Sequence, residues 1–375
     1  MPDTLSARVP DASPDARDAV RPGRSRAPRL MSGPATALLL TILACALAAV
    51  MVLGIAVGSV NLPPGQVWNV LWAHLSGRAA DPLLDQVVWE IRTPRVLLAA
   101  LAGAGLSVAG VALQALVRNP LAEPYILGVS SGASLGAVLV PWLGGTALGG
   151  LIGSLGVTGA AFTAALLSSL VVYLLAQRAG RLLDSRLVLA GVAVGYLCTA
   201  ATTFVQLQLD PAELQGMMFW LMGSVAGASW DDLGLPALLI AACLACPLPQ
   251  ARALNALLTG EEAATGIGVS VPALRVALLV IGSLLTAAVV GVVGGIGFIG
   301  LMVPHMVRFV VGGDHRRVLP VALLAGAVFL VLVDLAARIA DRPNELPVGI
   351  FTTGLGVPFF LWLLRRRAGG GGDAS

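Results

Sequence analysis

The chain has 375 residues, 57% of them hydrophobic and 11% charged, with a mean hydropathy of +0.89 and a formal net charge of +3. A soluble domain carries roughly 25% charged residues because its surface faces water, so most of this surface must face lipid. All 23 basic residues are Arg; lacking Lys, the chain has neither a Walker A phosphate loop nor a Schiff-base amine. Any ATP used on its behalf is hydrolysed by another chain.

Residues 1–34, rich in Pro, Asp and Arg with no apolar period, read as a disordered tail. A hydrocarbon core about 30 Å thick takes roughly 20 apolar residues of helix, which predicts ten spans: 36–58, 95–117, 125–143, 151–176, 187–207, 233–249, 273–293, 295–311, 318–337 and 346–364. Only Gly-rich sequence separates the seventh from the eighth. Residues 35–366 then form one all-α polytopic membrane domain, with a flexible tail at 367–375. Counted from a cytoplasmic N-terminus, the inside segments hold all the Arg except Arg78, Arg92, Arg95, Arg338 and Arg342. That bias is the one expected with both termini in the cytoplasm.

In chain order, the largest outside segment is 59–94, whose Trp68, Trp72 and Trp89 suit the membrane–water interface. Gly110 to Arg118 (GVALQALVR) is echoed by Gly300 to Arg308 (GLMVPHMVR), which suggests two related halves, as in many transporters. Cys243 and Cys246 form a C-x-x-C, but in an apolar run they read as small apolar residues rather than a redox pair. The three His residues, at 74, 305 and 315, show no metal-ligand spacing, and no metal site is expected. The longest inside loop, 250–272, offers Leu254, Leu257 and Leu258 on an apolar face, followed by Glu261 and Glu262. It is either a solvated turn or a short helical hairpin gripped by a cytoplasmic partner; the missing ATP site favours the hairpin.

Gly295, Gly297 and Gly300 spell the dinucleotide fingerprint, yet no strand precedes them, apolar sequence surrounds them, and the next acidic residue is Asp314. Close helix packing accounts for them. Asp334 is the notable carboxylate within a span, which invites an ion-coupling role. Arg338 stands four residues on, however, and a neutralising pair near the outer interface is simpler. No chain of Asp, Glu and His runs through the other spans, which argues against an ion-driven secondary transporter. Nor is there a catalytic constellation, so no catalytic residue is assigned and a membrane enzyme ranks last.

Longer stretches resemble a known family. RTPRVLLAALAGAGLSVAGVALQALVRNPLAEPYILGVSSGAS (92–134) is similar to the second and third helices of FecCD-type permeases, the membrane subunits of bacterial ABC importers for iron–siderophores, haem and vitamin B12. TGEEAATGIGV (259–269) resembles their ATPase-docking loop, and 294–320 and 344–366 resemble their C-terminal signatures. The resemblance implies a type II ABC importer permease fold of about ten transmembrane helices in the bacterial inner membrane. It further implies a second permease, copy or paralogue, and two cytoplasmic ATPase subunits that use ATP and Mg. The permease itself would bind no cofactor and no nucleic acid. Leu257, Leu258, Gly260, Glu261, Glu262 and Gly266 fall in the docking loop, and removing the charges of Glu261 and Glu262 is expected to weaken ATPase coupling. The family's cytoplasmic gate falls on Asn119 and Leu121, and on Asp184 and Ser185, with Asp184 standing where relatives carry a small hydroxyl residue. A substrate-binding protein docks outside, where Arg78 and Arg342 fit by location. The expected cargo is an iron–siderophore, with haem and cobalamin behind it, moved by alternating access.

Overall fold

Apolar helices make up nearly all that the computed structural model describes, namely residues 32–58, 61–79, 81–144, 147–178, 181–245, 250–342 and 344–369. The expected tails fall mostly outside those residues. Ser32 caps α1 (Gly33–Ala56), its Oγ accepting the Ala35 N–H. Next come α2 (Pro64–Ser76), closed by a left-handed Gly77, and α3 (Pro82–Asp85), whose first N–H groups donate to the Asp81 carboxylate. α3 continues through a π-helical stretch at Gln86–Arg92 into α4 (Thr93–Leu116), so the second span starts at Pro82 and runs for 35 residues. Pro94 has no N–H for the turn behind it. The wider π turn accommodates that loss, and Thr93 Oγ1 donates to the Val88 carbonyl at 2.6 Å.

A mostly irregular stretch, 117–128, leads to α5 (Val129–Leu143) and to α6 (Ala147–Ala176), which bends at Gly156. The antiparallel pair β1 (Gln177–Arg178) and β2 (Arg181–Leu182) precedes α7 (Asp184–Gln206). Then follow α8 (Pro211–Leu221), which hydropathy did not single out, and α9 (Gly234–Ala245). α10 (Ala251–Leu258) and α11 (Glu261–Gly266) occupy the 250–272 loop. α12 (Val271–Val293), α13 (Ile299–Val311), α14 (His315–Ile339) and α15 (Val348–Gly369) complete the chain, α15 carrying helix past 366.

Each expected span meets a helix, and seven of these helices are long and apolar enough to cross a membrane. Of the other three, α5 and α13 have 15 and 13 residues, and α9 spans 12 among the described residues. α5 and α13 each follow an irregular segment, 117–128 and 294–298, and these segments lie against each other: Glu123 Oε1 accepts the Phe298 N–H at 2.5 Å. Unwound backbone at membrane depth survives only where protein or water satisfies it, so the two breaks cover one another. The division between the seventh and eighth spans is sharp. Gly294 takes φ +71, and a Cβ there would stand 2.0 Å from the Trp220 carbonyl oxygen. Gly295 likewise packs closely, since a Cβ on Gly223 would lie 2.4 Å from its carbonyl oxygen.

α4 is buried along almost its whole length and packs on α12, α13 and α14. A Cβ added at Gly103 would sit 2.1 Å from the Gly326 oxygen, and one at Gly110 would sit 1.9 Å from the Gly300 oxygen. The echoed segments 110–118 and 300–308 therefore cross at their leading glycines. Beside the crossing, Gln114 Nε2 donates to the Gly300 and Leu301 carbonyls at 3.2 and 3.3 Å, and Arg308 donates to Gln114 Oε1.

The Asp334–Arg338 pair is present at 2.8 Å, but it is neither isolated nor at an exposed interface. Asp334 is fully buried, and its Oδ1 accepts from Nε and Nη2 of Arg95 at 3.0 and 2.9 Å. Arg95 also donates to Glu345 at 2.6 Å. Arg338 donates to the Gly54 carbonyl, and Arg92 to those of Ile55 and Ala56. α1 has no basic residue in its own last turn, so these guanidiniums meet the carbonyls and the partial negative charge at its end.

Gly110→Ala would place a methyl where the Gly300 carbonyl stands and should lower the yield of folded protein in detergent severalfold. Gly216→Ala on α8, with open space around it, should leave the yield unchanged. Asp334→Asn leaves two buried guanidiniums undercompensated and should cost about 3 kcal/mol, measured by thermal unfolding of the solubilised protein. Glu345→Gln, at the more exposed carboxylate, should cost under about 1 kcal/mol; equal losses from the two would contradict the burial argument.

Candidate functional site

Ala251–Leu258 (ARALNALL) is composed mostly of strong helix formers. Gly260, at φ +119, turns the chain, and Glu261 and Glu262 open α11, where the helix dipole favours negative charge. Beyond Gly266, which is exposed, Gly268 at φ +85 closes the hairpin, its N–H bonded to the Thr265 carbonyl and that of Val269 to the Ala264 carbonyl. The loop is a helical hairpin rather than a solvated turn. Leu254, Leu257 and Ala264 are buried, while Leu258 and Ile267 are 52% and 71% exposed, with Glu262 exposed beside them. Leu257 was expected on a surface offered to a partner; it is turned into the bundle instead. Leu254 and Leu257, three residues apart, share the face of α10 that packs on α14 and α4.

Two polar attachments hold the hairpin. Asn255 Nδ2 donates to Asp314 Oδ1 at 2.7 Å, and Asn255 Oδ1 accepts the His315 N–H at 2.9 Å. Burial pushes the Asp314 pKa up, but the bonds from Asn255 and the Arg316 N–H, with the charges of Arg317 and Arg316, outweigh that and hold it below the usual carboxylate range. At the other end, Glu261 turns inward. Its Oε1 lies 2.9 Å from Arg275 Nη1 and 3.5 Å from Arg118 Nη2. Asp184 Oδ2 lies 3.2 Å from that same Arg118 nitrogen, and its Oδ1 accepts from Arg275 Nη2. Two carboxylates and two guanidiniums thus alternate around a closed ring. Only the Arg275 side chain is nearly buried, at 7% exposure. The ring borders a cavity of about 1820 Å³ also lined by Tyr173, Gln177 and Glu262.

The expected gate residues sit next to this ring. Asp184 is a member of it and starts α7, with Ser185 exposed on the same turn. Asn119 follows Arg118, and its Oδ1 accepts the Leu121 N–H at 3.0 Å, closing a tight turn. The structure therefore brings Glu261 and Asp184 together and reaches Asn119 and Leu121 through Arg118. Arg118 and Arg275 had been counted only as inside charges. The one local signal was that Arg118 abuts Asn119, and nothing in sequence period puts Arg275 against Asp184. At the opposite end of the bundle, Arg78 and Arg342 are both exposed, just past α2 and α14. Trp68 and Trp72 are exposed there as expected of interface residues, whereas Trp89 stacks on His74 at a ring separation of 3.9 Å and meets Trp230 at a tilt of 35° and 4.7 Å. Cys243 is buried, as its apolar setting suggested, and Cys246 lies outside the described residues.

Residues 46–366 match the FecCD transport family. The cobalamin import system permease BtuC of Halobacterium salinarum is 40% identical over 342 residues, spanning 88% of this chain and 90% of its own. The hemin transport system permease HmuU of Yersinia pestis is 39% identical, over 91% of this chain and 96% of its own. The vitamin B12 import permease BtuC of Vibrio cholerae is 39% identical, over 84% and 90%. A solved structure described as an inward-facing conformation of a metal-chelate type ABC transporter superposes with a TM-score of 0.75 at 30% identity, over 88% of this chain and 99% of that one. With the hairpin, the polytopic bundle and this extent of match taken together, the chain belongs to the FecCD transport family, as a multi-pass permease of an ABC import system.

Proposed function

We propose that the chain is the inner-membrane permease of a bacterial importer that passes a large metal chelate inward by ATP-driven alternating access. The hairpin carries this reading: it is a helical element with one face packed into the bundle and the other, Leu258, Ile267 and Glu262, left open to a partner. In a chain without Lys, that partner supplies the ATP chemistry. Two cytoplasmic ATPase subunits, using ATP and Mg, grip the hairpins of two paired permeases. Closing of the ATPase dimer moves the hairpins, and the bundle switches the side on which it is open. The hairpin end is cytoplasmic in this scheme, consistent with the Arg bias of the loops. On the outer end, Arg78 and Arg342 offer positive charge to acidic side chains of a substrate-binding protein.

The relatives named for cobalamin and hemin, at 39–40% identity, support a corrin or porphyrin chelate, cobalamin first, ahead of the iron–siderophore expected from the sequence. An ion-driven mechanism finds no carrier in Asp334, whose two oxygens are both engaged by guanidiniums.

Vesicles holding the permease with its ATPase and binding protein should accumulate cyanocobalamin on addition of ATP. Uptake of hemin or a ferric siderophore in its place would reassign the cargo, and uptake driven by a proton gradient without ATP would overturn the importer reading. Leu258→Asp should reduce co-purification of the ATPase about tenfold with the permease still inserted. Leu257→Ala should instead cost about 3 kcal/mol of permease stability.

A further inference from the structure

Glu261, Arg275, Asp184 and Arg118 come from four separate parts of the chain: the docking hairpin, the start of α12, the start of α7 and the beginning of the segment that follows α4. Each carboxylate is shared by both guanidiniums, and Arg275 spans the two acids with its two Nη atoms. The charges sum to zero, so the ring is self-sufficient without any outside counter-ion. Its geometry is also directed. Glu261 follows Gly260, a left-handed pivot between the two hairpin helices. Asp184 is the first residue of the helix whose start was assigned to the gate. Arg118, itself at φ +52, immediately precedes the Asn119–Leu121 turn assigned to the other half of the gate. A non-Gly residue held in the left-handed region is uncommon, and here it aims the guanidinium back at both acids.

We propose that this four-membered ionic ring is the linkage that carries movement of the docking hairpin to both gate segments, so that Arg118, Asp184, Arg275 and Glu261 are positioning residues for the transport cycle. The proposal rests on the docking reading given above. Its physical content is that the ring holds its four elements as one unit only while it is closed. Loss of one member leaves two like charges facing one partner, and the hairpin then moves without its load. Partial exposure of Arg118 and both acids suits this task, because pairs in a wet cavity reform readily, whereas a fully buried pair would resist rearrangement.

The test uses the assembled transporter in vesicles, with three readouts: ATPase retained on the permease, ATP hydrolysed, and cobalamin taken up. Asp184→Asn and Arg118→Gln should keep the ATPase bound and lower uptake per ATP hydrolysed about tenfold, a coupling loss of ordinary allosteric size. Asp184→Glu, which preserves the charge, should recover most of the ratio. A merely structural role would lower yield, hydrolysis and uptake in proportion and leave the ratio unchanged; that result, or an unaltered ratio in a well-folded variant, overturns the linkage. If Asp184→Asn releases the ATPase outright, the ring belongs to the docking surface and the proposal fails. Should the unmodified permease fail to retain any ATPase, the docking reading itself falls, which is distinguishable because no variant is then needed to see it.

Discussion

Backbone-on-backbone contact along α4 is the constraint from which the rest of the bundle follows. In lipid, helices gain little from burying apolar side chains against one another, and association depends on small residues that permit close approach. Gly103 against Gly326 and Gly110 against Gly300 set the heights of α14 and α13 relative to α4. Placing Gly300 beside Gly110 makes α13 begin part-way along α4, so residues 294–298 join the end of α12 to it without helix. That unwound stretch needs cover, and the irregular segment 117–128 supplies it through Glu123. Pro304 has no N–H to give the Gly300 carbonyl, and the Gln114 amide takes that role from the neighbouring helix. One crossing thus dictates two breaks and a side-chain substitute for a lost helical bond.

The two charge clusters show how depth changes the meaning of an ion pair. Asp334 is fully enclosed by Arg95 and Arg338, and those arginines with Arg92 also bind the end of α1 and Glu345. Desolvated charges of this kind make removal of one partner expensive, so the cluster fixes one end of the bundle. At the hairpin end, the acids and Arg118 keep contact with water. There an ion pair adds little to stability, and its use must be sought in geometry. The two ends of the bundle thus differ in kind, one held by buried charge and the other carrying partly exposed pairs.

Much of this was legible from residues alone. Apolar run lengths placed ten helices, and the echo between 110–118 and 300–308 marked segments that turn out to touch. The helical hairpin was one of two readings of the amphipathic 250–272 loop, the other being a solvated turn, and the absence of Lys favoured it. Three things were hidden, each for a physical reason. The second span begins at Pro82 because Asp81 caps it and a π turn absorbs Pro94, and neither effect registers in hydropathy. Leu257 faces inward because α14 and α4 lie beneath α10, a tertiary fact. Asp334 was read as a pair with its i+4 neighbour, but Arg95, 239 residues away in sequence, donates two hydrogen bonds to it. The charge ring was missed for the same reason: its members are brought together only by the fold.

The hairpin's two attachments tie one small element to several distant parts of the bundle. Asn255 fastens it to the start of α14, while Glu261 fastens it to Arg275 of α12 and to Arg118 just past α4, and through those two arginines to Asp184 of α7. The α7 and Arg118 attachments lie in the first of the two echoed halves, and those to Arg275 and Asp314 lie in the second. The hairpin is therefore tied to both halves at once, at the end of the bundle opposite the buried Asp334 cluster.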